Sequence, residues 1–219
     1  MTRHTFISAD ILLEAYKMGL FPMAESRSSP DIFWVDPEVR GVLNLKETKL
    51  PSRFVRLLKN KPFEIRIDTN FEKVIDLCAS FTNKRPDSWI NEPIRNLYVE
   101  LFYRGIAHSI ECYNSEELVG GLYGVEMGGV FFGESMFSIM NNSSKVALAH
   151  LFDRLRVGGF SILDTQFITS HLKQFGVREM IKEVFILRLK DALKHNANFL
   201  EMSPPGFLEY KFYPPCYVF

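Results

Sequence analysis

The residues with the most chemical potential stand at the ends of two apolar runs. The first, Val130-Phe131-Phe132-Gly133, ends on Glu134, which sets a carboxylate at the tip of an apolar strand. Such a group either ion-pairs and caps, or it meets a cationic group inside an aromatic pocket. The second run, Phe160 to Leu163, ends on Asp164-Thr165-Gln166. On a strand Asp164 and Gln166 lie two apart and point the same way. An Asp that holds a Gln amide fixes which end presents its oxygen, and that oxygen can accept an amine proton and orient the amine for attack. The plainer alternative is that both residues cap a turn.

Other constellations carry less. Gly133-Glu134-Ser135-Met136-Phe137 is a near miss to the GxSxG elbow, with Phe where a small residue is needed, although Asp164 and His171 follow Ser135 in triad order. His108 and Cys112 share a strand face, which permits a Cys–His pair; a satisfied buried His beside an apolar Cys is the commoner arrangement. Gly120-Gly121-Leu122-Tyr123-Gly124 fits neither GxGxxG nor the P-loop, and marks a place where something packs against the main chain, with a ligand weakly favoured. The five His show no HxxxH spacing and no Cys partner, so no metal site is expected.

Basic residues cluster between Lys46 and Arg66: seven of them (Lys46, Lys49, Arg53, Arg56, Lys59, Lys61, Arg66) stand against two acidic ones. Arg53, Arg56 and Lys59 fall at helical spacing. A solvated helix face and a phosphate-backbone contact explain this equally well.

These residues sit in a chain of 219 residues, 47% hydrophobic, with 26 basic and 26 acidic side chains. That suits one ordinary domain or a core domain with a small appendage, and excludes global disorder and a uniformly basic nucleic-acid binder. Three well-separated Cys argue against a disulfide framework and for a reducing cytosol. The N-terminal stretch has no continuous apolar region like a signal peptide's, and no run is long enough to span a membrane. The final Cys216-Tyr217-Val218-Phe219 matches the prenylation pattern, but without a polybasic neighbour it reads as a chance match.

Spacing predicts helices over 8–17, 50–59, 70–79, 92–104, 142–157 and 178–195. It predicts strands over 63–68, 107–113, 117–125, 130–135 and 160–164, with Glu126-Met127-Gly128-Gly129 as a hairpin turn. Leu20 to Met23 reads as an apolar turn, 24–32 as a polar loop, Phe33 to Pro37 as extended, and 204–219 as a packed tail with a final strand. Helices first and then a hairpin-rich sheet is an α+β pattern, with a soft boundary near residue 42.

The chain resembles the bacterial leucyl/phenylalanyl-tRNA–protein transferases. The resemblance rests on Ala15-Tyr16-Lys17-Met18-Gly19-Leu20-Phe21-Pro22-Met23, Trp34 to Leu43, Trp89-Ile90 with Tyr98, and Gly105 to Glu111. It continues through Leu118 to Val125, Phe132-Gly133-Glu134-Ser135-Met136-Phe137-Ser138, Asn142-Ser143-Ser144-Lys145, and Leu163-Asp164-Thr165-Gln166 with His171-Leu172. It implies a small N-terminal domain (1–42) joined to a GNAT-type acyltransferase domain (43–219). The implied activity is transfer of Leu or Phe (and Met) from leucyl-tRNA or phenylalanyl-tRNA to proteins beginning with Arg or Lys, which marks them for N-end rule degradation. A cytoplasmic monomer without cofactor is implied.

By the same resemblance Asp164 and Gln166 match a catalytic pair orienting the acceptor amine, and Glu134 the acid that meets the cationic acceptor. Phe131, Met136, Leu148, Leu151 and Leu163 fall where the aminoacyl side chain is lodged. Tyr16, Trp89 and Tyr98 match aromatics around the 3′ adenosine and acceptor peptide, and Met23 stands where some members have Trp. Arg53, Arg56, Lys59, Lys61 and Arg66 lie where the family carries its positive patch for the acceptor stem. Two other readings stay open: an acyl-CoA transferase, although the usual CoA pyrophosphate loop is absent, and a non-catalytic tRNA- or degron-binding module.

Overall fold

A computed structural model describes residues 7–45, 51–60, 62–81 and 86–201. Lys61 of the basic stretch and the tail from 202 onward, Cys216 included, lie outside the described residues.

The main element is a seven-stranded sheet in the order β4-β5-β6-β7-β8-β3-β9. Its strands are β3 (Val39–Asn44), β4 (Glu64–Ile67), β5 (Ala107–Asn114), β6 (Glu117–Met127), β7 (Val130–Ser138), β8 (Ile162–Asp164) and β9 (Arg178–Ile181). Neighbours are antiparallel except β7 and β8, which run parallel because helix α5 (Ser143–Val157) carries the chain over between them. A two-stranded sheet pairs β1 (Phe21–Met23) with β2 (Phe33–Val35).

Both faces of the large sheet are covered, so its strands are apolar on both sides. Val130 and Phe132 point to a core shared with α1 (Ala9–Lys17), α3 (Phe71–Cys78) and α4 (Glu92–Tyr103). Phe131 and Leu163 point to the opposite core, formed with α2 (Ser52–Lys59) and α5. The helix starts are set locally. Ser8 Oγ accepts the Ile11 N–H at 3.3 Å to cap α1, and Asn91 Oδ1 accepts the Ile94 N–H at 2.9 Å to cap α4.

The glycine run 120–124 differs from expectation in what approaches it. A Cβ at Gly120 would lie 2.1 Å from Ser143 Oγ, and one at Gly124 would lie 2.3 Å from the Phe132 carbonyl oxygen. The chain itself fills these positions, so the glycines serve α5 and the hairpin rather than a ligand.

Two further differences concern edges. Leu20 to Met23, expected as a turn, supplies strand β1. The helix expected over 178–195 is shorter: Arg178–Ile181 pairs as β9 with β3, and α6 spans Lys182–Ala192. Ladder pairing with a distant strand here overrides local helical periodicity. Val42 lies in β3 and pairs with both Asp164 and Arg178.

Candidate active site

Strands β7 and β8 are paired only over Val130–Phe132 and Ile162–Asp164. Beyond that, β7 continues beside β6 alone while β8 ends, so the sheet opens into a crevice at the carboxyl end of a parallel pair, where α/β folds commonly place ligands. A cavity of about 390 Å³ occupies it. Its apolar wall comes from Phe21, Met23, Trp89, Met136, Leu148, Leu151 and Leu163, and Glu134 and Gln166 face the same space.

Glu134 owes its position to a β-bulge. Tyr123 pairs with Ser135 and Gly124 with Gly133, so Glu134 is the extra residue with no cross-strand partner. A bulge re-aims a side chain, and here the carboxylate meets two helices at once. Tyr16 Oη of α1 donates to its Oε1 at 2.7 Å, and Tyr98 Oη of α4 donates to its Oε2 at 2.8 Å. The two phenol oxygens are themselves 2.6 Å apart. With a proton on Glu134, three protons serve the three edges of this triangle; without it, one edge has none.

Burial pushes Glu134 up to about 7, with the nearby Asp164 charge adding to the rise and the two tyrosine hydrogen bonds and Arg40 opposing it. Tyr16 and Tyr98 are pushed well above their ordinary value, by burial first and then by the Glu134 charge.

Gln166 completes the cluster by a route the strand spacing does not predict. Its backbone is left-handed, with φ 53°, so the two-residue alternation stops at Asp164. Asp164 Oδ1 accepts the Gln166 backbone N–H at 2.9 Å rather than its side-chain amide. The amide Nε2 donates instead to Glu134 Oε1 at 3.2 Å. Asp164 is fully buried behind this turn, 3.6 Å from Arg40 Nη1. Burial raises its pKa, and Arg40 is the largest influence in the other direction.

The structure thus brings Glu134, Gln166, Tyr16 and Tyr98 into one hydrogen-bonded group. Met23, Trp89, Met136, Leu148, Leu151 and Leu163 lie around the cavity beside it. Phe131 is placed elsewhere: it lies behind the wall, in the core it shares with Leu148, Leu151 and Leu163, stacked on Phe199 at 5.2 Å between ring centroids. Sequence reasoning passed over Phe21 and Phe167, which line the cavity and meet edge to face at 5.5 Å. Adjacency to Gln166 was the only signal for Phe167.

The competing constellations separate. Asp164 is committed to Gln166 and Arg40, and His171 Nε2 has no hydrogen-bond partner among the described residues, so the Ser135 triad is not assembled. His108 bonds Asp68 at 2.7 Å, while Cys112 Sγ donates to the Ser143 carbonyl at 3.2 Å. Among the described residues no group of three or more metal-ligating side chains could hold an ion, and no helix is long and apolar enough to cross a membrane.

Arg53, Arg56 and Lys59 are exposed on α2, whose Phe54 and Leu58 are buried. Arg53 donates to Gln174 Oε1. Arg66 differs from these: it is paired with Glu64 at 2.7 Å and Glu116 at 3.3 Å, so its charge is largely matched within the protein.

Comparison with known proteins gives the lineage. Residues 42–190 match the family described as leucyl/phenylalanyl-tRNA protein transferase, and residues 7–38 match that family's N-terminal domain. The leucyl/phenylalanyl-tRNA–protein transferase of Paramagnetospirillum magneticum is 52% identical over 193 residues, covering 88% of this chain and 92% of that protein. Those of Caulobacter vibrioides and Phenylobacterium zucineum are each 50% identical, the first covering 90% of both chains and the second 88% and 87%. The solved structure of L-PGS from Bacillus licheniformis aligns with TM-score 0.47 and 8% identity over 71% of this chain and 65% of its own. The chain belongs to the leucyl/phenylalanyl-tRNA protein transferase family.

Proposed function

We propose that the protein transfers Leu or Phe, and Met, from aminoacyl-tRNA to the N-terminal α-amine of proteins beginning with Arg or Lys, marking them for N-end rule degradation. It does so as a cytoplasmic monomer. The carrying observation is the juxtaposition of an apolar cavity with the Glu134–Gln166 pair on its wall. The apolar part suits a large apolar side chain without a branch at Cβ, such as Leu, Phe or Met, and Met136, Leu148, Leu151 and Leu163 enclose it.

Because Nε2 of Gln166 is engaged by Glu134, the amide oxygen is the end left for an incoming amine. The amine donates an N–H to that oxygen, and the Glu134 carboxylate balances the positive charge of the acceptor. The neutral nitrogen then attacks the ester carbonyl carbon. The new C–N bond forms, the C–O bond to the ribose breaks, and the amine proton ends on the ribose hydroxyl. An aminoacyl ester is already activated, so positioning and proton handling suffice without a covalent enzyme intermediate. Asp164 holds the Gln166 turn from behind.

The exposed Arg53, Arg56 and Lys59 favour contact with tRNA phosphates over a merely solvated face, because α2 packs beside α5, whose Leu148 and Leu151 line the cavity. The parallel β7–β8 step with α5 between supports the GNAT-type reading of the transferase part, residues 43–219. The small N-terminal part, 1–42, contributes Tyr16 and Met23 to the site.

A thermal-shift comparison tests the donor site. A leucyl group amide-linked to 3′-amino-adenosine is expected to raise Tm by several degrees at saturating concentration, as any tight native-state ligand does, while acetyl-CoA leaves it unchanged. The reverse pattern would favour an acyl-CoA transferase.

A further inference from the structure

Among the described residues Arg40 is one of the largest fully buried side chains, at 1% exposure, and it stands second in β3, paired with Met180 of β9. Removing a guanidinium from water is costly unless its charge is matched. Its surroundings match it from three sides. Nη2 donates to the carbonyl oxygen of Gly19, just past the end of α1. The rings of Phe21 and Phe185 each lie 4.8 Å from the guanidinium carbon. Nη1 faces Asp164 Oδ2 at 3.6 Å, and neither atom has a hydrogen-bond partner among the described residues. Each is therefore the other's charge partner in the buried interior.

The segment holding Arg40 also clamps the Gln166 turn through its backbone. The Gly41 N–H donates to the Gln166 carbonyl at 2.8 Å, and the Thr165 N–H donates to the Gly41 carbonyl at 2.8 Å. The approach is so close that a Cβ at Gly41 would lie 2.7 Å from Thr165 Oγ1. The turn needs such support, because Gln166 sits in a left-handed conformation that L side chains rarely adopt. A further restraint is the hydrogen bond from its N–H to Asp164 Oδ1, which is strong while Asp164 is ionised and weaker once it is protonated.

We propose that Arg40 is a positioning residue for the transfer step: by keeping Asp164 charged it fixes the left-handed turn that aims the Gln166 amide at the acceptor amine. The proposal rests on the transferase reading above. The same guanidinium ties the Gly19 end of α1, and so the helix carrying Tyr16, to the opposite side of the site.

The test uses the full-length protein in steady-state transfer with Arg40→Met, Arg40→Lys, Asp164→Asn and the double variant Arg40→Met/Asp164→Asn. Arg40→Met is expected to lower kcat about 100-fold, the scale on which small misplacements act, with KM for leucyl-tRNA within about 2-fold. Because Asp164 then protonates more easily, activity falls more steeply between pH 8 and 6 than in wild type, whose own fall comes from Glu134. Arg40→Lys restores part of kcat. On the Asp164→Asn background, Arg40→Met costs little further activity, because the route through Asp164 is already cut. Arg40→Met with wild-type kcat, or an equal loss on both backgrounds, would overturn the role of Arg40 alone. Should Arg40→Met fail to fold, the same decision falls to Arg40→Lys: a loss of activity that is equal with and without Asp164→Asn is the overturning result. Wild-type protein that transfers no label at all would instead overturn the transferase reading, and this role with it.

Discussion

Gln166 Nε2 and Glu134 Oε1 lie 3.2 Å apart, joining a residue in a left-handed turn to a residue on a β-bulge. A bulge within β7 and a turn just past the end of β8 thus create one contact, and that contact determines which end of the amide faces the cavity. Gln166→Ala is therefore expected to lower kcat about 100-fold, with little change in KM for leucyl-tRNA, whose apolar pocket is untouched. Steady-state kinetics would show this; a KM effect alone would assign Gln166 to binding.

Glu134 gives a stability prediction with a defined sign. Its pKa is about 7 in the fold against an ordinary 4.5, so the fold favours the protonated form. That contribution is fully present below about 4.5 and is lost as pH rises through 7. Glu134→Gln keeps an acceptor for the tyrosines and carries no charge. Its Tm relative to wild type should therefore rise by about 5 °C between pH 5 and pH 8.5, while transfer activity drops. A difference that stays flat with pH would contradict the buried-carboxylate account.

The basic face of α2 predicts salt dependence. Arg53→Ala/Arg56→Ala should raise KM for leucyl-tRNA and make log(kcat/KM) fall less steeply with log salt, by a slope of about 1.5–2. Transfer from a leucyl-adenosine donor, which lacks the acceptor stem, should be unaffected. Arg66, already paired with Glu64 and Glu116, should matter less when replaced.

Much of this was legible from residue order. The two apolar runs before Glu134 and Asp164-Thr165-Gln166 pointed to the strands that meet at the cavity, although β7 runs on past Glu134 to Ser138, and helix α5 follows its apolar spacing closely. What stayed hidden depends on distant partners. Strict alternation predicted an Asp164–Gln166 side-chain contact, and a single left-handed residue redirected Gln166 to Glu134. Arg178–Ile181 reads as helix until β3 offers it a ladder. Arg40 carries no local signal, because its burial is built from Gly19, Phe21, Phe185 and Asp164, segments far apart in sequence.

The most direct test is a transfer assay with purified protein, radiolabelled leucyl-tRNA and two peptides differing only in an N-terminal Arg or Ala. Label on the Arg peptide alone is the predicted result, since it establishes donor, acceptor and bond together. Retention of leucyl-tRNA on the protein with no label on either peptide would contradict the account and leave a binding module in its place.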